Sequence, residues 1–260
     1  MSISTQDALH LRDILLNQAQ NEKHRGYHIL PERFLQALAG SHENTYTFYE
    51  RERFRYFCQH VDFQGKSVID IGCNIGYFLF SALDRGASRV TGYEGKASCG
   101  AFLHAAIEAA AAGDRFSFFN EYYRFNTPAE PHDIGILLNV LHHLGDDYGN
   151  ATDMASARQQ MLQQLNGLSA SVSTLIFQMG FNWKGDRNAC LFDRGTKAEM
   201  IDFVQTGTRG RWAVRSIGIA QRDAGGVQYR PVDESNIARD DSLGEFLNRP
   251  IFILDSMARP

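Results

Sequence analysis

Hydrophobic residues in the first quarter of the chain recur at the three- and four-residue spacing of helices. Residues 5–20 place leucines on one broad stripe, and a short helix is predicted at 32–39. Residues 45–60 form a third helical stretch, aromatic on one side and rich in arginine and glutamate on the other. We interpret residues 1–61 as an N-terminal helical cap that precedes a domain of different pattern.

From residue 66 onward, short apolar runs alternate with helical stretches. The pattern predicts strands at 66–71, 88–94, 115–120, 132–140, 173–179, 212–219 and 249–256. The predicted helices are 77–85, 97–112, 153–166 and 196–206. This alternation predicts a doubly wound α/β fold with a seven-stranded, mostly parallel sheet over residues 62–260. The polar, glycine-containing segment 221–248 is interpreted as a surface excursion. Ligands of such sheets bind at the carboxyl ends of strands.

The composition is that of a globular protein able to bury a full core. Of the 260 residues, 43% are hydrophobic, 12% aromatic and 22% charged. The 26 basic and 30 acidic residues give a net charge of -4, which argues against nucleic acid as the partner. Among the basic residues, 21 are arginine and 5 are lysine. Arginine suits two-pronged contacts to phosphate or carboxylate groups, although a genome that favours arginine would produce the same excess.

Cysteine use and hydropathy bear on the cellular environment. The four cysteines form no C-x-x-C pair, and no histidine stands at metal-ligand spacing from them, so we predict reduced thiols and no metal site. No apolar run approaches the roughly 18–20 residues that cross a bilayer. The first residues lack the basic and apolar regions of a secretory signal. The sequence therefore predicts a cytoplasmic protein without a membrane span.

The turn after the first predicted strand combines an acid with glycines. It reads Asp70-Ile71-Gly72-Cys73-Asn74-Ile75-Gly76, and Tyr77 begins the next helix. Its G-x-x-x-G spacing is neither the G-x-G-x-x-G of dinucleotide folds nor the G-x-x-x-x-G-K-[ST] of phosphate loops. A carboxylate at Asp70 would repel a pyrophosphate, whereas it suits a cationic ligand. The sequence therefore excludes a dinucleotide-binding turn and a phosphate loop at this position.

This acid-and-glycine turn resembles motif I of the class I S-adenosylmethionine-dependent methyltransferases, which have a Rossmann-like fold. Glu94, at the end of the second strand, stands where that family has an acid that binds the ribose hydroxyls, and a carboxylate offers two acceptor oxygens for them. The resemblance covers residues 62–256. Asn74 replaces a glycine that is frequent in the motif, but asparagine tolerates left-handed backbone angles.

The resemblance implies S-adenosylmethionine as the cofactor and assigns its contacts. The loop would wrap the amino-acid end of the cofactor, through Asp70, Gly72, Cys73, Asn74, Gly76 and Tyr77. Tyr77 could equally be an ordinary helix-packing residue. Either Asn120 or Glu121 would lie near the adenine, and Asn139 and Val140 would face the methionine portion.

Methyl transfer needs a base when the acceptor hydroxyl must lose a proton, and histidines follow the fourth strand. His143, and as a second choice His142, could serve as that base. A paired histidine at this position is also a structural element in many such methyltransferases. Asp146 and Asp147 could orient a histidine or cap the following helix.

Candidate acceptor-binding residues come from three places. Trp183 and Arg187 lie in the loop after the fifth strand, where an indole could stack on a sugar and a guanidinium could hold an anion. N-terminal helices cover the acceptor pocket in this family, which adds Tyr27, His28, Arg51 and Arg55. A solvated, ion-paired helix face is the other interpretation of the two arginines. The third place is the polar segment 221–248, which contributes Arg230.

A narrower resemblance, carried by LLNVLHHL at 137–144 and RPIFILDS at 249–256, is to methyltransferase domains linked to bacterial surface polysaccharides. It implies O-methylation of a small-molecule or saccharide acceptor, with or without a phosphate. Two alternatives stay open. One is a tRNA methyltransferase, and the other is a cofactor-binding interaction subunit that does not catalyse.

Overall fold

A computed structural model describes residues 3–19, 30–37, 49–127 and 130–258, and of residues 16–19 only the backbone. In these ranges the α-helices are Thr5–Ala19 (α1), Glu32–Ala37 (α2), Glu50–His60 (α3), Tyr77–Asp84 (α4), Ala97–Ala109 (α5), Met154–Gly167 (α6), Lys197–Gly207 (α7) and Gly244–Leu247 (α8). The strands are Ser67–Ile71 (β1), Arg89–Tyr93 (β2), Phe116–Phe119 (β3), His132–Leu138 (β4), Val172–Gln178 (β5), Trp212–Asp223 (β6), Gly226–Pro231 (β7) and Ile251–Ser256 (β8). The predicted α/β alternation is confirmed.

Contacts divide the chain into two compact units. The first comprises Met1–Phe54 and Asp62–Tyr123, and the second comprises Arg55–Val61 and Arg124–Pro260. The predicted cap, residues 1–61, therefore contributes to both units. Its role as a cover for an acceptor pocket stays a prediction.

In the first unit, β1 pairs in parallel with β2 and β2 with β3. All five residues of β1 are buried. The register aligns Ile71 with Tyr93 and Tyr93 with Phe119, so the three strands end together. The loops that follow them therefore share one edge of this part of the sheet.

Helix α4 packs against these strands with an almost entirely buried surface. Its Phe80 ring lies 5.2 Å from the ring of Phe34 in α2 and 5.0 Å from that of Phe116 in β3. Although apolar, α4 has only 8 residues. Within the described parts of the chain, no helix combines the length and apolar character required to cross a membrane.

In the second unit the strand order is β4-β5-β8-β6-β7. β4 and β5 are parallel, whereas β8 runs antiparallel between β5 and β6. Because β8 is reversed, its first residues lie beside the carboxyl end of β5, where Phe252 pairs with Phe177. The segment just before β8 is thereby brought to the edge at which a parallel α/β sheet binds ligands.

The expected count of seven strands is wrong, since the described residues contain eight. β7 lies in the segment 221–248, which we expected to be a surface excursion, and pairs with the long strand β6. Gly218 in β6 already pairs with Ile251, the first residue of β8. The rest of β6 and all of β7 therefore extend past β8 as a hairpin, at the edge where β5 ends.

Candidate functional site

The loop after β1 has the backbone form that the sequence predicted. Gly72, Asn74 and Gly76 have φ angles of 79°, 52° and 77°, all in the left-handed region that side chains other than asparagine rarely adopt. The N–H groups of Gly72 and Cys73 donate to the carbonyl of Tyr93, at 2.8 and 3.0 Å. These two hydrogen bonds hold the loop against the end of β2.

Gly76 leaves no room for a side chain at the start of α4. A Cβ atom there would lie 2.7 Å from Cδ2 of Leu103 in α5. Close packing of two helices, together with the positive φ, explains the glycine at this position.

Glu94 joins the end of β2 to two backbone segments. Its Oε2 accepts the N–H of Asn74 at 2.9 Å, and its Oε1 accepts the N–H of Lys96 at 2.9 Å. The side chain is half-buried. Because a carboxylate can accept about four hydrogen bonds, these two contacts are compatible with the predicted binding of ribose hydroxyls.

Asp70 is buried at the end of β1, with 2% of its surface exposed. Its Oδ2 has no hydrogen-bond partner within the described residues. Burial, and next the charge of Glu94, raise the pKa of Asp70 to about 8, while the charge of Arg53 acts in the opposite direction. A cationic ligand would supply the missing partner and stabilise the carboxylate. The site therefore fits the cationic amino-acid end of S-adenosylmethionine.

Arg53 is a residue that the sequence interpretation missed. It is 5% exposed, its guanidinium lies 5.0 Å from the centroid of the Phe78 ring, and its Nη2 is 3.8 Å from Oε1 of Glu50. Helical spacing could have revealed it, because Arg53 shares a face of α3 with the apolar Phe57. Arg51, by contrast, is half exposed and pairs with Glu32 at 2.9 Å.

Three other residues, Arg55, Tyr27 and His28, are predicted acceptor contacts from the N-terminal region. Arg55 is exposed on the part of α3 that belongs to the second unit. Tyr27 and His28 lie outside the described residues. Their roles stay predictions.

Asn120, one of the two candidates for the adenine contact, has a structural role. Its Nδ2 donates to the carbonyls of Glu94 and Lys96, at 2.7 and 3.2 Å. Glu121 is exposed in the following loop. Tyr77 is buried, and burial followed by the charge of Glu32 raises the pKa of its hydroxyl to about 12.

The second unit carries the histidines in the 3₁₀ turn Leu141–His143, just after Val140. His142 is buried, and its Nδ1 accepts the N–H of Gly180 at 3.1 Å, which places the ring proton on Nε2. Burial, and next the charges of His143 and Arg249, hold the pKa of His142 well below its usual value. His142 is therefore a neutral, structurally engaged ring.

His143 is the more accessible of the two rings, with 30% of its side chain exposed. Its Nδ1 lies 3.3 Å from Oδ2 of Asp147. Together with Asp146, these residues place three ligand-type atoms within 4.8 Å of one another. The two aspartates are exposed, and the sequence expectation of no metal site stays a prediction.

Trp183 is anchored beside this turn. Its Nε1 donates to the carbonyl of Leu144 at 2.7 Å, and the Nζ of Lys184 lies 4.4 Å from the centroid of its ring. Arg187 is exposed in the same loop. Arg230 lies in the β6–β7 hairpin, where it pairs with Asp223 at 3.0 Å.

A partly buried polar network that sequence reasoning missed lies at the ends of β4 and β5. The Nη1 of Arg249 donates to Oδ1 of Asn139 at 2.8 Å. Gln178, which is fully buried, accepts from Asn139 and donates to the carbonyl of Arg249. Glu245 pairs with Arg249 at 2.7 Å. Nothing in the sequence signals a contact between residues 110 positions apart.

The known proteins to which this chain is similar carry the names of methyltransferases or carboxymethyltransferases. No family model matches the chain. The tRNA U34 carboxymethyltransferase of Campylobacter hominis is 27% identical over 217 residues, which are 75% of this chain and 66% of that protein. The enzyme of the same name from Campylobacter curvus is 26% identical over 117 residues, 40% of this chain and 35% of that protein. The chain thus spans two thirds or less of the length of these curated relatives.

Two solved structures share the fold. The magnesium protoporphyrin IX methyltransferase of Synechocystis PCC 6803, solved with bound S-adenosylmethionine, has a TM-score of 0.51 and 13% identity, over 96% of this chain and 97% of that one. The bifunctional kinase-methyltransferase WbdD has a TM-score of 0.54 and 15% identity, over 93% of this chain and 46% of that one. The chain therefore has the fold of these methyltransferases, one of which was solved with bound S-adenosylmethionine, and the enzyme class expected from the sequence agrees with the names of its relatives.

Proposed function

We propose that this chain is an S-adenosylmethionine-dependent methyltransferase that acts on a hydroxyl of a small-molecule or saccharide acceptor. The observation that carries the proposal is the pairing of His143 with Asp147 after β4, at 3.3 Å. A hydroxyl acceptor has a proton to lose, and a histidine beside a carboxylate is a suitable group to remove it. Asp70 and Glu94 supply the acidic groups for the cofactor.

His143 and Asp147 would together perform the proton transfer. The carboxylate of Asp147, 3.3 Å from Nδ1 of His143, would favour the positively charged form of the ring, and Nε2 would accept the hydroxyl proton. S-adenosylmethionine, when bound, supplies a methyl group on a positively charged sulfur. As the oxygen–carbon bond forms and the sulfur–carbon bond breaks, the proton moves to His143, and the charge of Asp147 stabilises the resulting imidazolium. The products are a methyl ether and S-adenosylhomocysteine.

The loop after β5 offers groups for the acceptor. Trp183 is half-buried and is fixed by its hydrogen bond to Leu144, so an ordered indole is available for stacking on a sugar ring. Arg187 is exposed in the same loop and could pair with a phosphate on the acceptor. These two residues support a saccharide, with or without a phosphate, as the acceptor class.

Transfer of a labelled methyl group tests the proposal. Purified protein is incubated with methyl-labelled S-adenosylmethionine and a panel of saccharides, with and without a phosphate, and the products are analysed by mass spectrometry. We expect label in an ether linkage that acid treatment does not release. Label on a nitrogen or a carbon of the acceptor would contradict O-methylation.

A second candidate is modification of tRNA, which the sequence relatives favour. Both Campylobacter proteins carry names that specify carboxymethyl transfer to uridine 34 of tRNA. The distinguishing experiment offers the chain unmodified tRNA with either S-adenosylmethionine or its carboxymethyl analogue. Product at position 34 that disappears when the uridine is replaced would favour this candidate. Binding of S-adenosylhomocysteine without transfer to any acceptor would favour a non-catalytic subunit.

A further inference from the structure

Both ends of the Asn139 side-chain amide are fixed. Its Oδ1 accepts from Nη1 of Arg249 at 2.8 Å, and its Nδ2 donates to Oε1 of Gln178 at 3.1 Å. The Nε2 of Gln178 then donates to the carbonyl of Arg249 at 2.9 Å. The three residues thus form a closed ring of hydrogen bonds, which determines the orientation of each amide.

Arg249 is itself held by a carboxylate. Its Nε and Nη2 donate to the two oxygens of Glu245, at 3.0 and 2.7 Å. Burial raises the pKa of Glu245, but the hydrogen bonds and charge of Arg249 outweigh this effect and hold it below its usual value. Glu245 therefore remains a carboxylate and keeps the guanidinium in one orientation, with its third nitrogen directed at Asn139.

The backbone at Asn139 is held in place from several sides. Its φ angle is 60°, in the left-handed region, at the point where β4 ends. Asparagine adopts this region more readily than other residues that carry a side chain, and here hydrogen bonds fix it in that conformation. The Asn139 N–H donates to the Gln178 carbonyl at 2.8 Å, so one ladder bond and two side-chain bonds hold this residue.

We propose that Arg249 is a positioning residue for cofactor binding, because it fixes the Asn139 side chain and thereby the path of the backbone through Asn139 and Val140. This is the segment that the family resemblance assigns to the methionine portion of the cofactor. The inference rests on the proposed function for its ligand, but not on any particular acceptor. Arg249 itself makes no contact with the ligand in this role.

The role requires an arginine. Three of its nitrogens make contacts in one plane, two to Glu245 and one to Asn139. A lysine has a single terminal nitrogen and cannot make this planar set of contacts. Substitution by lysine should therefore keep the charge but lose the orientation of Asn139.

Calorimetric titration with S-adenosylhomocysteine tests the inference. Arg249→Met should weaken binding roughly tenfold, because Asn139 loses the charged hydrogen bond that fixes its side chain before the ligand binds. Arg249→Lys should weaken binding by a similar factor, because lysine keeps the charge but cannot orient Asn139. Should Arg249→Met fail to fold, as judged by circular dichroism, Arg249→Lys and Glu245→Gln carry the same expectation.

Arg215→Met is the matched control. Arg215 also forms a two-pronged pair, with Asp255 in β8, and lies in the same unit. Asp255 pairs with Thr174 near the start of β5, so this arginine lies toward the opposite edge of the sheet. We expect Arg215→Met to lower thermal stability while S-adenosylhomocysteine binds as tightly as it does to the wild type.

A double-mutant cycle separates positioning from general destabilisation. Asn139→Gly retains the left-handed backbone without the amide, so Arg249→Met in that background should weaken binding no further. Wild-type affinity in folded Arg249→Met, or a full additional loss in the Asn139→Gly background, would overturn the inference. Absence of binding by the wild type would instead overturn the proposed cofactor, and this inference with it.

Discussion

The Glu94 carboxylate accepts the backbone N–H of Asn74 at 2.9 Å, so the acid after β2 holds the left-handed residue of the loop after β1. The loop after β1 and the side chain of Glu94 thus stabilise each other. The absence of a glycine at position 74 is accommodated, because the asparagine has a φ of 52° and its N–H is paired. A change at Glu94 should consequently affect both the ribose contact and the shape of the loop.

Glu94→Ala should weaken the binding of S-adenosylhomocysteine by roughly tenfold or more, since hydrogen bonds to a charged group are lost. Glu94→Gln should cost less, because one carbonyl oxygen remains as an acceptor. Isothermal titration calorimetry measures both. Glu108→Ala, which removes an exposed acid of α5 in the same unit, is the control and should bind normally. Equal affinity in all four proteins would mean that Glu94 does not contact the cofactor.

The affinity for S-adenosylmethionine should depend on pH through Asp70. Without ligand, the pKa of this buried carboxyl is about 8, so it is protonated at pH 6. A cationic ligand favours the carboxylate, so binding must release the proton, and affinity should rise with pH until about pH 8. Calorimetry in buffers of different ionisation enthalpy counts the proton released.

Asp70→Asn is the control for this dependence, because it cannot lose a proton. Its affinity should be lower and its pH profile flatter. The unliganded protein should show the opposite trend in stability. Because the folded-state pKa lies above the ordinary 3.8, the contribution of Asp70 to the free energy of unfolding is full below pH 3.8 and declines up to about pH 8. An unchanged pH profile in Asp70→Asn would show that another group releases the proton.

Hydrophobic patterning predicted most of the secondary structure because the elements are strongly periodic. β1 is a continuous apolar run with one acid, and its predicted and observed ends differ by one residue at most. β7 was missed because only two of its six residues, Val227 and Tyr229, are apolar and buried, so the alternating pattern is short. Its pairing with β6 is a tertiary contribution that overrides weak local preference.

The candidate site was predictable where local sequence determines geometry. The loop after β1 and Glu94 belong to a strand–turn–helix pattern whose residues are close in the chain. Arg249 was not predictable, since it reaches Asn139 only because β8 runs antiparallel beside β5. The choice between His142 and His143 depended on which ring faces the interior of a 3₁₀ turn, which two adjacent identical residues do not reveal.

Gly76→Ala should destabilise the fold by about 2–4 kcal/mol, since left-handed strain and overpacking add together. The new Cβ would lie 2.7 Å from the Leu103 side chain, at a φ of 77°. Gly65→Ala is a matched control, because Gly65 has a φ of 70° but nothing within 4 Å of a Cβ. The free energy of unfolding lost in Gly65→Ala should be about 1 kcal/mol. Urea unfolding measures both, and equal losses would contradict the predicted packing contribution.

His143→Ala should lower turnover on a hydroxyl acceptor by roughly 10²–10⁴-fold, the usual contribution of a general base. Asp147→Asn should lower it less, because the ring stays but loses the carboxylate 3.3 Å from its Nδ1. Both variants should bind S-adenosylhomocysteine normally, which separates proton removal from cofactor binding. Asp146→Asn, an exposed neighbour, is the control and should turn over at nearly the wild-type rate. If the acceptor oxygen belongs to a phosphate, it has no proton to lose, and His143→Ala should then retain most activity.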